Sequence, residues 1–254
     1  MSVEIWQDGP VLTTRLCDGH RRNPLSRAVR AGLWDAITRV RKDKGIRVLV
    51  LEGEGPAFCA GGDLADMPHD HLAGMDFLTE VWDLFCALEC LPVPVVSAVH
   101  GPATGGGFEL CLASDFVVAG REKARFAIPE VKVGLVAAFA VCRLPQISGL
   151  RRARQAGMGG GFLSAEEALD WGIVTEVVDD ADVHARTRAL AQELAKGSPI
   201  AVALTKRIMN RELGGMEKYF GIDACAMLFA NADTREGIDA FLNKREAKFI
   251  GREG

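Results

Sequence analysis

The chain has 254 residues, of which 48% are hydrophobic, and a formal net charge of −4 at pH 7. A chain of this length buries about three-quarters of its unfolded surface, so we expect one large domain, or one domain with an appendage, that folds without disulfides. The weakly acidic charge argues against nucleic acid and anionic membranes as partners.

The cellular location of the protein and the redox state of its cysteines are predicted from its apolar stretches and from the spacing of the cysteines. The longest apolar stretches fall short of the roughly 20 residues that cross a bilayer, and the first residues lack the basic and apolar succession of a signal peptide. We therefore expect a cytoplasmic protein. The seven cysteines are scattered and form no C-x-x-C pair, which is typical of reduced and mostly buried thiols.

The first part of the chain is predicted to alternate strands and helices. Residues 3–5 and 11–16 are predicted to pair as a hairpin. Ser26 is predicted to cap a helix that ends near Gly45, because apolar residues then recur at helical spacing. The run RVLVLEG, residues 47–53, predicts a strand that is buried on both faces.

A similar order recurs further along the chain. Residues 78–88 carry a helical stripe, and VVSAV at 95–99 and FVVAG at 116–120 predict two more buried strands. Ser164 and Glu167 are predicted to form the capping box of a later helix. The rest of the chain is almost wholly helical in pattern.

Two glycine-rich loops follow buried strands: PAFCAGGDL at 56–64 and HGPATGGGFEL at 100–110. Such loops leave backbone N–H groups unpaired at the edge of a sheet, and the second loop enters a predicted helix whose N-terminus is partially positive. Alone, a GGG run is more often a packing turn, and Glu109 in a first helical turn is more often a solvated dipole partner. The occurrence of two loops favours a site that stabilises negative charge.

Together with FAIPEVKVGL at 126–135, these loops resemble the three signature segments of the enoyl-CoA hydratase/isomerase (crotonase) family. The resemblance extends to NPLS at 23–26, LSAEEALDWGIVTEVV at 163–178 and TREGIDAFLNKREAKF at 234–249. It therefore covers nearly the whole chain.

The resemblance implies an α/β fold, the ClpP/crotonase-like spiral of β-β-α units that forms two roughly perpendicular sheets. On this basis, residues 1–195 are predicted to form the spiral core with the CoA site and the oxyanion hole. Residues 196–254 are predicted to form a helical segment that mediates trimerisation. We expect a homotrimer or a hexamer built as a dimer of trimers.

The resemblance also implies an enzyme that adds water to a trans-2-enoyl-CoA to give a 3-hydroxyacyl-CoA. It assigns the oxyanion hole to the N–H groups of Ala60 and Gly106. Glu130 is expected to exchange the proton at C2, and Glu109 to orient and activate water. No metal or redox cofactor is implied, because CoA is part of the substrate. The residues expected along the CoA path are Ala60, Gly61, Gly62, Asp63, Leu64, Gly105 and Gly106.

Several alternatives stay open at this point. Δ3-Δ2 enoyl-CoA isomerisation, decarboxylation and thioester hydrolysis share the oxyanion hole, and a non-catalytic acyl-CoA-binding protein is the alternative from another class. Asp63 could equally cap the next helix. His69 and His71 lie in a polar stretch without a cluster of metal ligands. Cys59 and Cys111 flank the site without a histidine motif, which favours core packing over nucleophilic catalysis.

One segment differs from the family pattern. Where many hydratases have a glycine-rich PGAGGTQRL segment, this chain has VAAFAVCRL at 136–144, with the added bulk of Phe139. In the family this segment borders the pocket for the acyl group and water. The bulk therefore argues against short straight-chain substrates and, less strongly, against hydration.

Overall fold

The computed structural model describes residues 2–210, 222, 226–230 and 232–248. Two sheets and a set of helices make up this part of the chain. The strands are β1 (Val3–Asp8), β2 (Val11–Leu16), β3 (Val48–Gly53), β4 (Val95–Val99), β5 (Ala103–Thr104), β6 (Phe116–Gly120), β7 (Arg125–Ala127), β8 (Leu163–Ser164) and β9 (Glu176–Val178). The α-helices are α1 (Arg27–Lys42), α2 (His71–Glu89), α3 (Gly106–Leu112), α4 (Ala138–Ser148), α5 (Leu150–Gly159), α6 (Ala165–Asp170), α7 (Val183–Leu194), α8 (Pro199–Met209) and α9 (Ala232–Leu242).

The larger sheet has six strands in the order β1-β2-β3-β4-β6-β9, and the smaller sheet has the order β5-β7-β8. The predicted hairpin is confirmed, because β1 and β2 pair antiparallel with Val3 opposite Leu16. The remaining pairs of the larger sheet are parallel. The glycine-rich loops leave this sheet after β3 and β4, so both loops lie at the same edge of it.

Helices cover both faces of the larger sheet, which explains why β3 and β4 are buried along their whole length and are mostly apolar. One face contributes to the main core together with α1, α2 and α3. The other face packs against α7, where valines of four neighbouring strands meet Ala191. These valines are Val11, Val48, Val50, Val96 and Val118.

The predicted helix starts are confirmed at two caps. The Ser26 side chain accepts a hydrogen bond from the Val29 N–H at the start of α1. Ser164 and Glu167 form a complete capping box at the start of α6. These local signals fix where the helices begin, and the buried strands fix the sheet on which the helices pack.

The predicted boundary between residues 195 and 196 falls between α7 and α8. Helix α8 packs on the core through Lys206, whose Nζ donates to Asp115 at 2.6 Å and to the Val93 carbonyl at 3.1 Å. The role of residues 196–254 in trimerisation stays a prediction, and part of that segment, with Cys225 and Phe249, lies outside the described residues. Among the described helices, none is long and apolar enough to cross a membrane.

Candidate active site

A cavity of about 80 Å³ lies where the two glycine-rich loops meet α2 and α4. Gly62 from the first loop, Gly106 from the second, and both predicted glutamates line it. Apart from Glu109 and Glu130, the side chains that line this cavity are apolar or aromatic. The structure therefore brings together three of the four predicted catalytic positions, and we call this space the reaction cavity.

Backbone contact between the two loops explains their glycines. The Thr104 N–H donates to the Cys59 carbonyl at 3.0 Å. A Cβ atom on Gly107 would lie 2.1 Å from the Cys59 carbonyl oxygen, and one on Gly61 would lie 2.7 Å from the Thr104 oxygen. Gly61 also has a φ of +93°, which L side chains rarely adopt. Larger residues at these positions would push the loops apart.

The backbone donors at the cavity are those of Gly62 and Gly106. In the described part of the chain, neither N–H has an acceptor. A Cβ atom on Gly106 would stand 3.7 Å from the Gly62 nitrogen, so the two groups are close together. Gly106 is also the first residue of α3, where the helix leaves its N–H groups unpaired.

Ala60 does not belong with these donors, so the structure does not support its predicted place in the oxyanion hole; in the first loop, Gly62 lines the cavity instead. The Ala60 N–H already donates to the Arg22 carbonyl at 2.9 Å, and the residue is exposed rather than part of the cavity wall. Gly61, whose φ is +93°, turns the backbone between Ala60 and Gly62. Sequence spacing alone does not reveal which N–H of consecutive residues faces a cavity.

Glu109 lies in the first turn of α3 and is buried. Its Oε1 accepts a hydrogen bond from the Ala140 N–H at 2.9 Å, near the start of α4. Burial raises the pKa of Glu109 to about 7, while the N–H groups of Ala140 and Phe139 oppose that rise. The backbone N–H groups of Ala140 and Phe139 therefore stabilise the ionised form of the Glu109 carboxyl group.

Glu130 follows Pro129 on a 3₁₀ turn, Pro129–Val133. Its Oε2 is buried without a hydrogen-bond partner in the described part of the chain. Burial, followed by the charge of Glu109, raises the pKa of Glu130 to about 8. A Cβ atom on Gly105 would lie 2.4 Å from the Glu130 Oε1, so that glycine leaves room for the carboxyl group.

The two carboxyl groups interact electrostatically, because the charge of Glu109 contributes to the raised pKa of Glu130. Their apparent pKa values of about 7 and about 8 belong to the pair. Glu109 has hydrogen-bond donors for its charged form, whereas Glu130 has an unpartnered oxygen and a negative neighbour. The proton is therefore favoured on Glu130, which gives the site a base and an acid at the same pH.

This pair also makes stability depend on pH. Because both folded pKa values exceed the 4.5 of a free glutamate, folding binds protons, and the resulting stability is lost as pH rises through about 7 and about 8. We expect the free energy of unfolding to fall more steeply from about pH 5 to about pH 8 in wild type than in Glu109→Gln/Glu130→Gln. Urea unfolding at both pH values tests this, and parallel pH dependences would contradict it.

Segment 136–144 contains the start of α4, whose Ala140 N–H contacts Glu109. Phe139 is only 1% exposed and packs against Trp82 and Phe85, with ring centroids 5.4 Å and 5.0 Å away. Its bulk is thus mostly in the core. The Ala140 donor could not be predicted from the sequence, because a backbone N–H leaves no signal in residue identity.

The remaining candidates have ordinary structural roles. Asp63 caps the 3₁₀ turn Leu64–Asp66 by accepting from the Ala65 N–H at 3.1 Å, and it pairs with Arg21 at 2.7 Å. This arrangement supports the capping alternative for Asp63. Cys59 and Cys111 are buried thiols. Burial raises the pKa of Cys59 to about 12 and that of Cys111 well above its usual value, which disfavours the thiolate that a nucleophile needs. Within the described ranges, no three His, Cys, Asp or Glu side chains come together as a metal site would require. His69 and His71 therefore belong to no such group.

Known proteins resemble this chain over nearly its full length. The family model described as enoyl-CoA hydratase/isomerase matches residues 8–252. The chain belongs to the enoyl-CoA hydratase/isomerase family. A carnitinyl-CoA dehydratase of Salmonella heidelberg is 34% identical over 267 residues, covering 99% of each chain.

Solved structures of the enoyl-CoA hydratase/isomerase family share the fold. One is an enoyl-CoA hydratase/isomerase from Pseudoalteromonas atlantica, with a TM-score of 0.85, 31% identity and coverage of 98% of this chain and 100% of the other. Another is a carnitinyl-CoA hydratase from Mycobacterium avium, with a TM-score of 0.88, 28% identity and coverage of 99% of both chains. The predicted crotonase fold is confirmed.

Proposed function

We propose that this protein hydrates a trans-2-enoyl-CoA to the 3-hydroxyacyl-CoA. The observation that carries the proposal is the buried pair of carboxyl groups, Glu109 and Glu130, beside two unpaired backbone N–H groups. Addition of water needs a base for the water, an acid for carbon, and donors for the oxygen that gains charge. The reaction cavity offers all three.

Each group has one task in the proposed reaction. The N–H groups of Gly62 and Gly106 donate to the thioester oxygen and stabilise the enolate. Ionised Glu109 accepts a proton from water as the water oxygen bonds to C3. Protonated Glu130 gives its proton to C2. The product gains the elements of water, and the proton now on Glu109 returns to Glu130 directly or through solvent.

The other reactions of the family use less of this site. Isomerisation needs a single group that moves a proton between carbons, whereas the two carboxyl groups here differ in protonation and suit the addition of water. The names of two similar proteins make dehydration of a carnitinyl thioester the second candidate. The apolar lining of the reaction cavity favours an apolar acyl group over that charged one.

Isotope labelling tests the proposed reaction directly. The protein is incubated in H₂¹⁸O with crotonyl-CoA, a longer trans-2-enoyl-CoA, a 3-enoyl-CoA and carnitinyl-CoA. We expect labelled 3-hydroxyacyl-CoA from a 2-enoyl substrate. Isomerised 2-enoyl-CoA without label, free CoA, or dehydration of carnitinyl-CoA alone would each overturn the proposal in favour of that reaction. Binding without any product would indicate the non-catalytic alternative.

Gly106→Val is expected to remove turnover while the protein stays folded. The new Cβ would lie 2.7 Å from the Leu25 Cδ1, whose side chain must shift, and 3.7 Å from the Gly62 nitrogen, so the valine crowds both donors. Losing one such donor typically lowers kcat by about 10²- to 10³-fold. Steady-state kinetics compare it with Gly159→Val, whose position on α5 has nothing within 4 Å. A folded Gly106→Val with undiminished kcat would contradict the assignment.

We also propose, from family membership, that the protein works in the cytoplasm as a homotrimer or a dimer of trimers. One surface of α8 supports an assembly. Ile200, Leu204 and Ile208 recur at every fourth residue and are 73%, 50% and 59% exposed. Such a stripe of apolar side chains is suited to packing against another protein chain.

A further inference from the structure

A second cavity of about 270 Å³ lies between α4 and α5. It shares three wall residues with the reaction cavity: Glu130, Val136 and Ala137. The rest of its lining is almost entirely apolar and includes Ile128, Val131, Val141, Pro145, Ala153 and Gly157. We call this space the α4–α5 chamber.

The reaction cavity offers little length beyond the reacting carbons. Its side towards α2 is closed by Trp82, Phe85 and Phe139, which pack against one another and are at most 3% exposed. Phe77 and Phe229 form another edge-to-face pair in its wall, with ring centroids 6.1 Å apart. A long acyl chain therefore has to leave the reaction cavity on another side.

We propose that the α4–α5 chamber binds the distal part of a long, unbranched, apolar acyl chain whose thioester lies in the reaction cavity. The inference rests on the proposed function, because it uses the same position of the thioester. The chain passes between Glu130 and the start of α4, where Val136 and Ala137 form the common wall. Because Val136 lines both spaces, the proposal requires its side chain to move aside so that the two spaces join.

Small residues on α5 keep the chamber open. Ala153 and Gly157 lie one turn apart and line the chamber opposite Val141 of α4. A Cβ atom on Gly157 would meet only the Val141 Cγ1, at an ordinary contact distance of 3.6 Å. Glycine within a helix lowers stability relative to alanine, so the open space comes at a cost to the fold.

The lining suits a hydrocarbon chain with a free end near water. Arg154 is exposed, lines the chamber and has no ion pair in the described part of the chain. Its aliphatic stem can cover apolar atoms while the guanidinium group stays in solvent. Each buried methylene group strengthens binding by roughly fourfold, so a chamber of this size gives strong discrimination between short and long chains.

The test fills the chamber from α5. Gly157→Leu is compared with Gly159→Leu, which has the same change on the same helix but nothing within 4 Å of its Cβ. Crotonyl-CoA and trans-2-dodecenoyl-CoA are the substrates. We expect Gly157→Leu to lower kcat/KM by about tenfold or more for the long substrate only. Gly159→Leu should change neither value. Ala153→Met fills the same chamber if Gly157→Leu does not fold.

Binding of saturated dodecanoyl-CoA, measured by calorimetry, separates this inference from the proposed reaction. Weaker binding to Gly157→Leu than to wild type and Gly159→Leu supports the chamber even if no substrate is hydrated. Equal binding by all three proteins overturns the chamber. If Gly157→Leu hydrates both crotonyl-CoA and trans-2-dodecenoyl-CoA as well as wild type does, the chamber is also overturned, while the proposed hydration stands.

Discussion

Replacing Glu130 by glutamine is expected to lower kcat by about 10²- to 10⁴-fold, the usual contribution of a positioned proton donor. Glutamine keeps the shape of the side chain but has no acidic proton to give to C2. The Glu130 Oε2 has no hydrogen-bond partner in the described part of the chain, so no neighbouring side chain is in place to give the proton instead. Kinetics with a 2-enoyl-CoA at neutral pH measure the effect.

Two further variants sharpen this test. Glu109→Gln should cause a loss of similar size, and Glu109→Gln/Glu130→Gln should be little worse than either alone, because groups that act as a unit are not additive. The exposed Glu122 offers a control, and Glu122→Gln should retain full activity. A Glu130→Gln protein with wild-type kcat would contradict the assignment of the acid.

Replacing Arg143 by alanine is expected to lower the free energy of unfolding by about 3–5 kcal/mol, as found when one partner of a buried ion pair is removed. The Arg143 Nε and Nη2 donate to the Glu89 carboxylate at 2.9 Å and 3.1 Å. The two side chains are only 3% and 7% exposed. The guanidinium group also lies 5.0 Å from the centre of the Phe139 ring.

Arg143→Ala is destabilising because it leaves the buried Glu89 carboxylate without its positive partner. Burial already raises the pKa of Glu89 against the opposing effect of Arg143, so acidification relieves the charge. We therefore expect Arg143→Ala to be less destabilising at low pH than at neutral pH. Arg143→Met/Glu89→Leu, which removes both charges, should unfold at nearly wild-type urea concentration.

Urea unfolding at one fixed protein concentration measures these differences, since assembly would make stability depend on concentration. Arg186→Ala serves as a control, because Arg186 pairs with Glu176 where both side chains are about one-third exposed. Its effect should be small, as is usual for exposed ion pairs. A loss for Arg143→Ala no greater than that of the control would contradict the account.

The elements of the fold were largely predictable because their signals are local. The run at residues 47–53 has valines or leucines on both faces, as a strand between two helical layers requires. Ser26 and Ser164 satisfy the unpaired N–H groups of their helices, so their positions mark the starts of α1 and α6. The antiparallel start of the sheet followed from the short turn between two alternating runs.

The site was predictable only in part. The resemblance to the crotonase family pointed to Glu109 and Glu130, and their burial explains their raised pKa values. The resemblance placed an oxyanion donor at Ala60, but the Ala60 N–H is bonded to the Arg22 carbonyl, and residue identity does not show such backbone pairing. The Ala140 donor and the α4–α5 chamber depend on how distant helices pack, and no local pattern in the sequence encodes that packing.

Hydration by Glu109 and Glu130 is tested most directly through the ultraviolet absorbance of a conjugated enoyl thioester, which addition of water removes. Wild type and Glu109→Gln/Glu130→Gln are compared with crotonyl-CoA and a longer trans-2-enoyl-CoA, and the products are identified by mass. We predict that wild type removes the absorbance and yields a 3-hydroxyacyl-CoA, while the double variant binds the thioester without turnover. Equal loss of absorbance with both proteins, or none with wild type on either substrate, would contradict hydration by these two carboxyl groups.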